Sequence, residues 1–228
     1  MIRLALFDID GTLIQTGGAG IKAFARAFAG EFQIHQATQG MTFAGRTDTG
    51  LVRQVFVRHK IEPSPENFRR FFDAYVFWLD QMLHQSVGQI CLGVHDFIAE
   101  LEALPHRPVV GLLTGNIRLG AEIKLRHFKL WEVFRVGAFA DDHEDRNQIS
   151  AIAHRRSGEL LKTALRGDEI LVIGDTPLDV ECGRAIGAKV LAVATGNYSM
   201  AELREHRPDW VVENLTKISA REVCGGGQ

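Results

Sequence analysis

Carboxylates at the ends of apolar runs are the residues of this sequence best suited to chemistry. Asp8 and Asp10 follow the run Leu4–Phe7, and Gly11-Thr12 then favours a turn. Because side chains alternate along a strand, both carboxylates are expected to point the same way. Two like charges that close repel each other unless a proton or a cation lies between them. The pair therefore predicts a cation site at the end of a buried strand.

Two later apolar runs end in polar residues of the same kind. The run 108–113 is followed by Thr114-Gly115-Asn116, and the run 169–173 is followed by Gly174-Asp175, with Asp179 four residues further on. A single acidic turn needs no chemical role. Three polar strand ends in one chain favour a shared site.

These strand ends are predicted to meet at one edge of a sheet. From about residue 90 onward, apolar runs alternate with helical patterns, which is typical of crossover units and a parallel sheet. Open α/β sheets bind their ligands at the carboxyl ends of the strands. Hard oxygen donors in this number suit Mg²⁺, and a divalent cation beside turn N–H groups is a site for a phosphate. Mg²⁺ is therefore the predicted cofactor.

The segment between the first two strands has helical spacing. Apolar residues from Ile21 to Phe28 recur on one helix face, and Ser64-Pro65-Glu66 has the residue types of a helix start. The glycine cluster 15–20 has two interpretations, a phosphate-binding loop and a flexible linker or hinge. The linker or hinge is favoured, because the cluster lacks the ending of a P-loop. Residues 20–85 are thus expected to form a helical insert.

The whole pattern predicts the α/β class, with a Rossmann-like parallel sheet core and an inserted α-helical domain. The core is expected to comprise residues 1–14 and 90–228, and the insert residues 15–89. An edge strand is predicted at 210–212, and the glycine-rich tail 224–228 is expected to be disordered.

The composition limits the possible partners. The 228 residues carry a net charge of −2 and are 46% hydrophobic, which suffices for a core and attracts neither nucleic acid nor an anionic membrane. The three cysteines are far apart and form no C-x-x-C pair, which favours a reducing compartment. There is no signal-peptide pattern and no apolar stretch of about 18 residues. We expect a cytoplasmic protein, monomeric or homodimeric.

The three polar strand ends resemble motifs of one superfamily. Residues 8–13, 112–116 and 174–179 are similar to the first, second and fourth motifs of the haloacid dehalogenase superfamily. The insert resembles that superfamily's helical cap, and the phosphoglycolate-phosphatase-like hydrolases are the most similar subgroup. The resemblance implies an Mg²⁺-dependent phosphatase that hydrolyses a small phosphorylated metabolite through an aspartyl-phosphate intermediate.

The resemblance also implies a role for each motif residue. Asp8 would attack phosphorus, and Asp10 would protonate the leaving oxygen and then take a proton from water. Mg²⁺ would be held by the Asp8 carboxylate, the Asp10 backbone carbonyl and Asp175. Asp179 would be either a further ligand or the holder of a metal-bound water. The residues implied to bind the phosphoryl group are Thr114, Gly115 and Asn116.

The sequence departs from the superfamily at its third motif, which is usually a lysine ahead of the fourth. The segment 141–147 holds no lysine. Arg146 is the best-placed cation, since its fork can bridge the nucleophile carboxylate and the phosphoryl oxygens; a surface arginine at a helix start is the alternative. The less well placed cations are Lys124, Lys129 and Lys162. The acidic residues of the segment are expected to form a solvated loop, with a metal cluster as the alternative.

The insert contributes one further candidate. Gly45–Asp48 precede a helix, for which Thr47 or Asp48 is a natural N-cap. In related helical-cap enzymes the loop in this region faces the active site, so the resemblance implies that Arg46 binds an anionic group of the substrate. A solvated arginine at a helix start is an equally weighted alternative.

Three other functions fit parts of the pattern. A phosphomutase of the same fold, similar to β-phosphoglucomutase, would also use an acid/base at Asp10. A metal-independent dehalogenase would need neither Asp10 nor Asp175, and a non-catalytic binding protein would not need an intact carboxylate set. The carboxylates favour the phosphatase, and the substrate stays open.

Overall fold

The computed structural model describes residues 1–225. Within this range the strands are β1 (Leu4–Phe7), β2 (Ile14–Gln15), β3 (Gln89–Ile90), β4 (Val109–Leu113), β5 (Val136–Ala138), β6 (Ile170–Gly174), β7 (Lys189–Val193) and β8 (Trp210–Val212). The helices are α1 (Ala19–Phe32), α2 (Asp48–Arg58), α3 (Pro65–Gln85), α4 (Val94–Ala103), α5 (Arg118–His127), α6 (Arg146–Leu161), α7 (Pro177–Ala185), α8 (Met200–Glu205) and α9 (Ala220–Cys224).

Six strands form one sheet in the order β5-β4-β1-β6-β7-β8, and all neighbouring pairs are parallel. The prediction of an α/β fold with a parallel sheet is therefore confirmed, including the edge strand at 210–212. β1 lies in the middle, between β4 and β6. The three strands that end in polar residues are thus neighbours, and ligands of open α/β sheets bind at this kind of edge.

β1 is buried because its side chains alternate between two hydrophobic clusters. Leu4 and Leu6 pack on one face of the sheet with residues of α6 and α7. Ala5 and Phe7 pack on the other face with residues of α4 and α5. Helices cover both faces, so a continuous apolar run rather than an alternating one is required, and the first strand has such a run.

The helices α1, α2 and α3 form the helical insert, which has its own hydrophobic cluster. Aromatic rings dominate it: Phe28 and Phe71 have ring centroids 4.4 Å apart, and Phe24 lies 4.9 Å from Phe71. Phe71 of α3 therefore packs within the insert. α3 begins as predicted, because the Ser64 side chain accepts a hydrogen bond from the Asn67 N–H.

Two short strands join the insert to the sheet. β2 and β3 pair antiparallel, with Ile14 opposite Ile90 and Gln15 opposite Gln89. The entering and leaving segments therefore run side by side. The division into domains at residues 14/15 and 89/90 falls on this pair and stays a prediction.

α6 ends at Leu161, where Lys162 takes a left-handed conformation. One prediction at the C-terminus differs from the structure. The tail prediction is wrong at its first residue, because Cys224 is buried and ends α9; residues 226–228 lie outside the described residues. Throughout the described chain, no helix has the length and apolarity that crossing a membrane requires.

Candidate active site

Three buried aspartates meet at the carboxyl edge of the sheet. Asp8 directly follows β1, Asp175 directly follows β6, and Asp179 lies in the first turn of α7. One carboxylate oxygen from each lies within 4.8 Å of the others. Their exposed fractions are 5%, 3% and 1%. The sequence pattern predicted that these strand ends converge, and the structure brings the three carboxylates together.

Burial makes this cluster electrostatically unfavourable when all its members are ionised. Burial raises the pKa of Asp8 to about 6; Arg146 opposes this shift, whereas Asp179 and Asp10 add to it. Burial, together with Asp179 and Asp8, raises the pKa of Asp175 well above its ordinary value. Such a site favours either bound protons or a cation between the carboxylates. Buried carboxylates in this number are the donors that hard divalent cations prefer.

Hydrogen bonds from the chain orient two of these carboxylates. The Thr12 hydroxyl donates to Oδ1 of Asp175 at 3.1 Å. Oδ2 of Asp179 accepts from the backbone N–H of Thr176 at 2.9 Å and from its hydroxyl at 2.7 Å. The contacts of Asp179 also form a capping box at the start of α7. Asp179 is thus held rigidly beside the other two acids.

Arg146 is the cation next to the predicted nucleophile. It begins α6, is 7% exposed, and places Nη2 3.1 Å from Oδ1 of Asp8; the same nitrogen pairs with Asp179. Nη1 donates to the Gly45 carbonyl at 3.2 Å. Among residues 1–225, Nε of Arg146 is the buried side-chain nitrogen or oxygen that has no hydrogen-bond partner. This N–H therefore lacks an acceptor within the described residues.

A second buried cation, Lys124, contacts the other motif aspartate. It lies on α5, is 4% exposed, and places Nζ 2.6 Å from Oδ2 of Asp10 and 2.6 Å from Oδ1 of Asn116. From the sequence, Lys124 was a less well placed candidate cation than Arg146, and its contact with Asp10 was not predicted. A signal existed, because position 124 falls at helical spacing with Ala121 and Leu125, which are both buried.

The segment after β4 links the acid/base candidate to the sheet. The Asn116 amide donates from Nδ2 to Oδ2 of Asp10 and to Oγ1 of Thr114, both at 2.9 Å. Thr114 is fully buried, and its hydroxyl oxygen also accepts from the Asn116 backbone N–H at 3.3 Å. Thr114 and Asn116 therefore lie at the same edge as the aspartates.

The loop before α2 closes over this edge from the insert. Thr47, one of the two predicted N-cap residues, is the N-cap of α2. Its side chain accepts a hydrogen bond from the Gly50 N–H. The Asp48 backbone N–H donates to the Gly115 carbonyl at 2.7 Å, and Oδ2 of Asp48 accepts from the Ile117 N–H at 2.9 Å. Burial raises the pKa of Asp48 to about 6. Sequence reasoning considered Asp48 as a cap and missed its contact with the core.

A cavity of about 390 Å³ lies between the sheet edge and the insert. Arg46 lines it and donates from Nη1 to Oε1 of Gln54 at 2.6 Å. The other lining residues with polar side chains include Asp8, Asp10, Gln15, Thr16, Asp48, Tyr75, Thr114, Asn116, Lys124, Arg146, Asp175 and Asn197. All the predicted site residues except Asp179 line this cavity, and Asp179 lies behind it against Arg146.

Residues 5–193 match the family model described as haloacid dehalogenase-like hydrolase. The chain belongs to this family. The resemblance read from the motifs is therefore confirmed, and so is the enzyme class, a phosphatase-like hydrolase.

Curated relatives and solved structures agree with this membership. The hydrolase is 24% identical over 218 residues to the pyrophosphatase PpaX of Bacillus cereus strain B4264, covering 95% of this chain and 94% of the relative. Its fold is similar to CbbY from Rhodobacter sphaeroides in complex with phosphate (TM-score 0.72, 19% identity, 95% and 96% of the two chains covered). It is also similar to a predicted phosphoglycolate phosphatase from Haemophilus somnus 129PT (TM-score 0.69, 17% identity, 96% of each chain covered).

The acidic segment 141–145 of the hydrolase does not join the aspartate cluster. Asp142 forms a bidentate pair with Arg156, both contacts at 2.6 Å. Asp145 caps α6, and Glu144 pairs with Arg53 of the insert at 2.6 Å. These acids lie in a loop before α6, in which Asp141 and Asp145 are exposed and Asp142 and Glu144 are half-buried, as the prediction of a solvated loop expects.

Proposed function

We propose that this hydrolase is an Mg²⁺-dependent phosphatase that cleaves a small phosphorylated metabolite through an aspartyl phosphate on Asp8. One observation carries the proposal: a buried cluster of Asp8, Asp175 and Asp179 lies against Arg146, whose Nε has no partner within residues 1–225. Carboxylates suit a hard cation, and a guanidinium edge suits a phosphoryl oxygen. The site therefore offers complementary charges to both.

The donor set fits a divalent cation. The Asp8 and Asp175 carboxylates and the Asp10 backbone carbonyl would hold it, and Thr12 already orients Asp175. When bound, Mg²⁺ supplies charge screening between the carboxylate of Asp8 and the negatively charged phosphoryl group. Asp179 accepts hydrogen bonds on both its oxygens, which favours a supporting role over direct coordination.

Two aspartates divide the chemistry. Asp8 attacks phosphorus, forming a P–O bond to its carboxylate as the bond to the leaving oxygen breaks. Asp10 gives its proton to that leaving oxygen. In the second step Asp10 takes a proton from the attacking water, and the aspartyl phosphate is cleaved to Asp8 and inorganic phosphate. The proton is thus returned to Asp10 and the cycle closes.

The phosphoryl group is held by groups at the same edge. Arg146 presents its Nε–H, and Thr114 presents a buried hydroxyl, with the backbone of Gly115 and the side chain of Asn116 beside it. Positioning and charge neutralisation supply most of the catalysis in phosphoryl transfer. Such a constellation is therefore sufficient without further covalent chemistry.

The leaving part of the substrate occupies the cavity under the insert. A volume of about 390 Å³ suits a small metabolite, and Arg46 lies at its wall beside Gln54. We assign to Arg46 the contact with an anionic group of this leaving part. Inorganic pyrophosphate and phosphoglycolate are the first compounds to test, because relatives carry those activities in their names.

The experiment is phosphate release by the purified protein from p-nitrophenyl phosphate and from a panel of phosphorylated metabolites. Mg²⁺ should be required, and EDTA should abolish turnover. Asp8→Asn should lower turnover by at least about 10³-fold, because it removes the nucleophile. Asp73→Asn is the matched control, since Asp73 lies in an exposed pair on α3. Turnover by Asp8→Asn at the wild-type rate, with or without Mg²⁺, would refute the proposal.

A further inference from the structure

Lys124 is a buried cation that the proposed mechanism does not use. We propose that Lys124 is a positioning residue for Asp10: its ammonium group fixes the carboxylate that exchanges protons with the leaving oxygen and with water. The inference rests on the proposed phosphatase function. It assigns a role to a residue outside the motif segments 8–13, 112–116 and 174–179 and outside Arg146.

Three side chains form a closed set of hydrogen bonds. Lys124 Nζ donates to Oδ2 of Asp10 and to Oδ1 of Asn116, each at 2.6 Å. Asn116 Nδ2 completes the set by donating to the same Oδ2 of Asp10 at 2.9 Å. Both donors thus hold one oxygen of Asp10. The other oxygen, Oδ1, is left for the proton that the reaction moves.

The difference in burial indicates that this contact is more than a surface ion pair. The Lys124 side chain is 4% exposed, whereas the Asp10 side chain is 41% exposed. Burying an ammonium group costs free energy unless the group is paired and hydrogen-bonded. The contacts of Lys124 with Asp10 and Asn116 offset this cost. The carboxylate, in contrast, remains open to the cavity. Lys124 therefore contacts Asp10 from the buried side.

The helical insert completes the surroundings of the ammonium group. A Cβ built on Gly20 would lie 3.6 Å from Lys124 Nζ and 3.9 Å from the Tyr75 hydroxyl oxygen. Gly20 belongs to α1 and Tyr75 to α3. These two helices of the insert therefore lie beside the ammonium group of Lys124, whose side chain is 4% exposed. The orientation of Asp10 is thereby set by α5 and by the insert together.

The two buried cations serve different carboxylates. Arg146 pairs with Asp8 and Asp179, and Lys124 pairs with Asp10. Loss of Lys124 should therefore affect proton transfer rather than attack on phosphorus. The need for that proton depends on the leaving group, since an alkoxide must be protonated to leave, whereas p-nitrophenolate leaves unprotonated. In the first step only the alkyl phosphate therefore needs Asp10, whereas the second step needs it for both substrates. The first step on p-nitrophenyl phosphate thus separates a positioning role from a merely structural one.

The experiment compares Lys124→Met with the wild type on p-nitrophenyl phosphate and on the best alkyl phosphate of the panel. For the alkyl phosphate, kcat should fall about 10- to 100-fold while KM stays within about threefold, because general acid–base catalysis is worth about 10²–10⁴-fold and Asp10 is still present. For p-nitrophenyl phosphate, the rate of p-nitrophenolate release in a single turnover, which needs no proton from Asp10, should fall less than about threefold. Lys124→Arg should recover part of the alkyl activity, since it restores a charged donor. Arg126→Met is the control on the same helix, because Arg126 is an exposed residue paired with Glu122 and Glu132.

Other outcomes would overturn the inference. An equal loss in the single-turnover release of p-nitrophenolate and in kcat on the alkyl phosphate, or a change in KM alone, would assign Lys124 a structural or substrate-binding role. In an Asp10→Asn background, Lys124→Met should cause no further loss of kcat on the alkyl phosphate, and an additive loss would contradict action through Asp10. Lys124→Gln replaces the methionine variant if the latter does not fold. A wild-type protein that hydrolyses no phosphate ester would refute the proposed function itself, which is a distinct result.

Discussion

Arg146 is a single cation shared by buried carboxylates. It contacts Asp8 and Asp179, and Asp175 lies in the same cluster. Desolvation makes buried charge clusters sensitive to the loss of one partner, because the remaining charges are left uncompensated. Arg146 is therefore expected to matter for the stability of the metal-free protein as well as for phosphoryl binding.

The first prediction concerns this double role. Arg146→Met should lower the free energy of unfolding of the metal-free protein by about 3–5 kcal/mol, because it leaves three buried carboxylates without their cation. Urea unfolding with EDTA present measures this. Arg155→Met is the control on the same helix; its exposed pair with Glu159 should contribute at most about 1 kcal/mol. Equal losses in the two variants would mean that Arg146 does not compensate the cluster.

At the scale of elements, the connection between the insert and the sheet depends on a glycine. Gly17 has φ of +61°, and a Cβ there would lie 2.4 Å from the carbonyl oxygen of Val87. The residue follows β2, and Val87 precedes β3. The two connecting segments can therefore approach each other only if position 17 has no side chain.

The second prediction follows from this approach. Gly17→Ala should destabilise the protein by about 1–3 kcal/mol, because it adds a clash to a left-handed conformation. Gly30→Ala is the opposite control: Gly30 lies in α1 with no atom within 4 Å of a built Cβ. That substitution should stabilise by about 0.5–1 kcal/mol, since alanine is the better helix former. Thermal unfolding measures both changes. A loss of stability in Gly30→Ala would contradict the claim that position 30 has room for a side chain.

The elements that position the site could be predicted because each has a strong local signal. β1, β4 and β6 are apolar runs that end in polar residues, and α3 begins with a capping serine and a proline. β2 and β3 were missed because a strand of two residues has no periodicity to read. Their pairing depends on contacts between segments more than seventy residues apart.

The side-chain contacts within the site were only partly predictable. That Asp8 and Asp175 lie at the same edge follows from the parallel arrangement of their strands. That these two strands are neighbours is seen only in the structure. The pairing of Lys124 with Asp10 does not, because it depends on which helix face turns to the sheet edge and on how far a long side chain reaches. The same holds for Asp48, whose contact with Ile117 requires the insert to lie over the core.

At the scale of the whole molecule, the fold stabilises a charge cluster that is unfavourable in the absence of a cation. Burial raises the pKa of Asp8 from its ordinary value of 3.8 to about 6 and raises the pKa of Asp175 well above that ordinary value. The folded protein thus binds these protons more tightly than the unfolded chain does. Protonation therefore favours the folded state, and the contribution is lost as the pH rises through about 4 to 6 and beyond.

The third prediction is that Mg²⁺ restores this lost stability and does so in a pH-dependent way. At about pH 8 the carboxylates of the metal-free protein are more fully ionised than at about pH 5, so bound Mg²⁺ relieves the repulsion between them. At about pH 5, Mg²⁺ must instead displace protons that the folded protein already holds. Mg²⁺ should therefore raise the melting temperature more at about pH 8 than at about pH 5. Calorimetry with Mg²⁺ or EDTA at the two pH values measures the difference.

Asp8→Asn provides the control for this experiment, because it removes one charge from the cluster and keeps the shape of the side chain. The variant without metal should lose less stability than the wild type between about pH 5 and pH 8, and it should gain less from Mg²⁺ at the higher pH. Asp168→Asn changes an exposed carboxylate paired with Arg166 and should leave both effects intact. An Mg²⁺ effect of equal size at both pH values, unchanged in Asp8→Asn, would place the cation outside the aspartate cluster. In that case the proposed metal site would have to be abandoned.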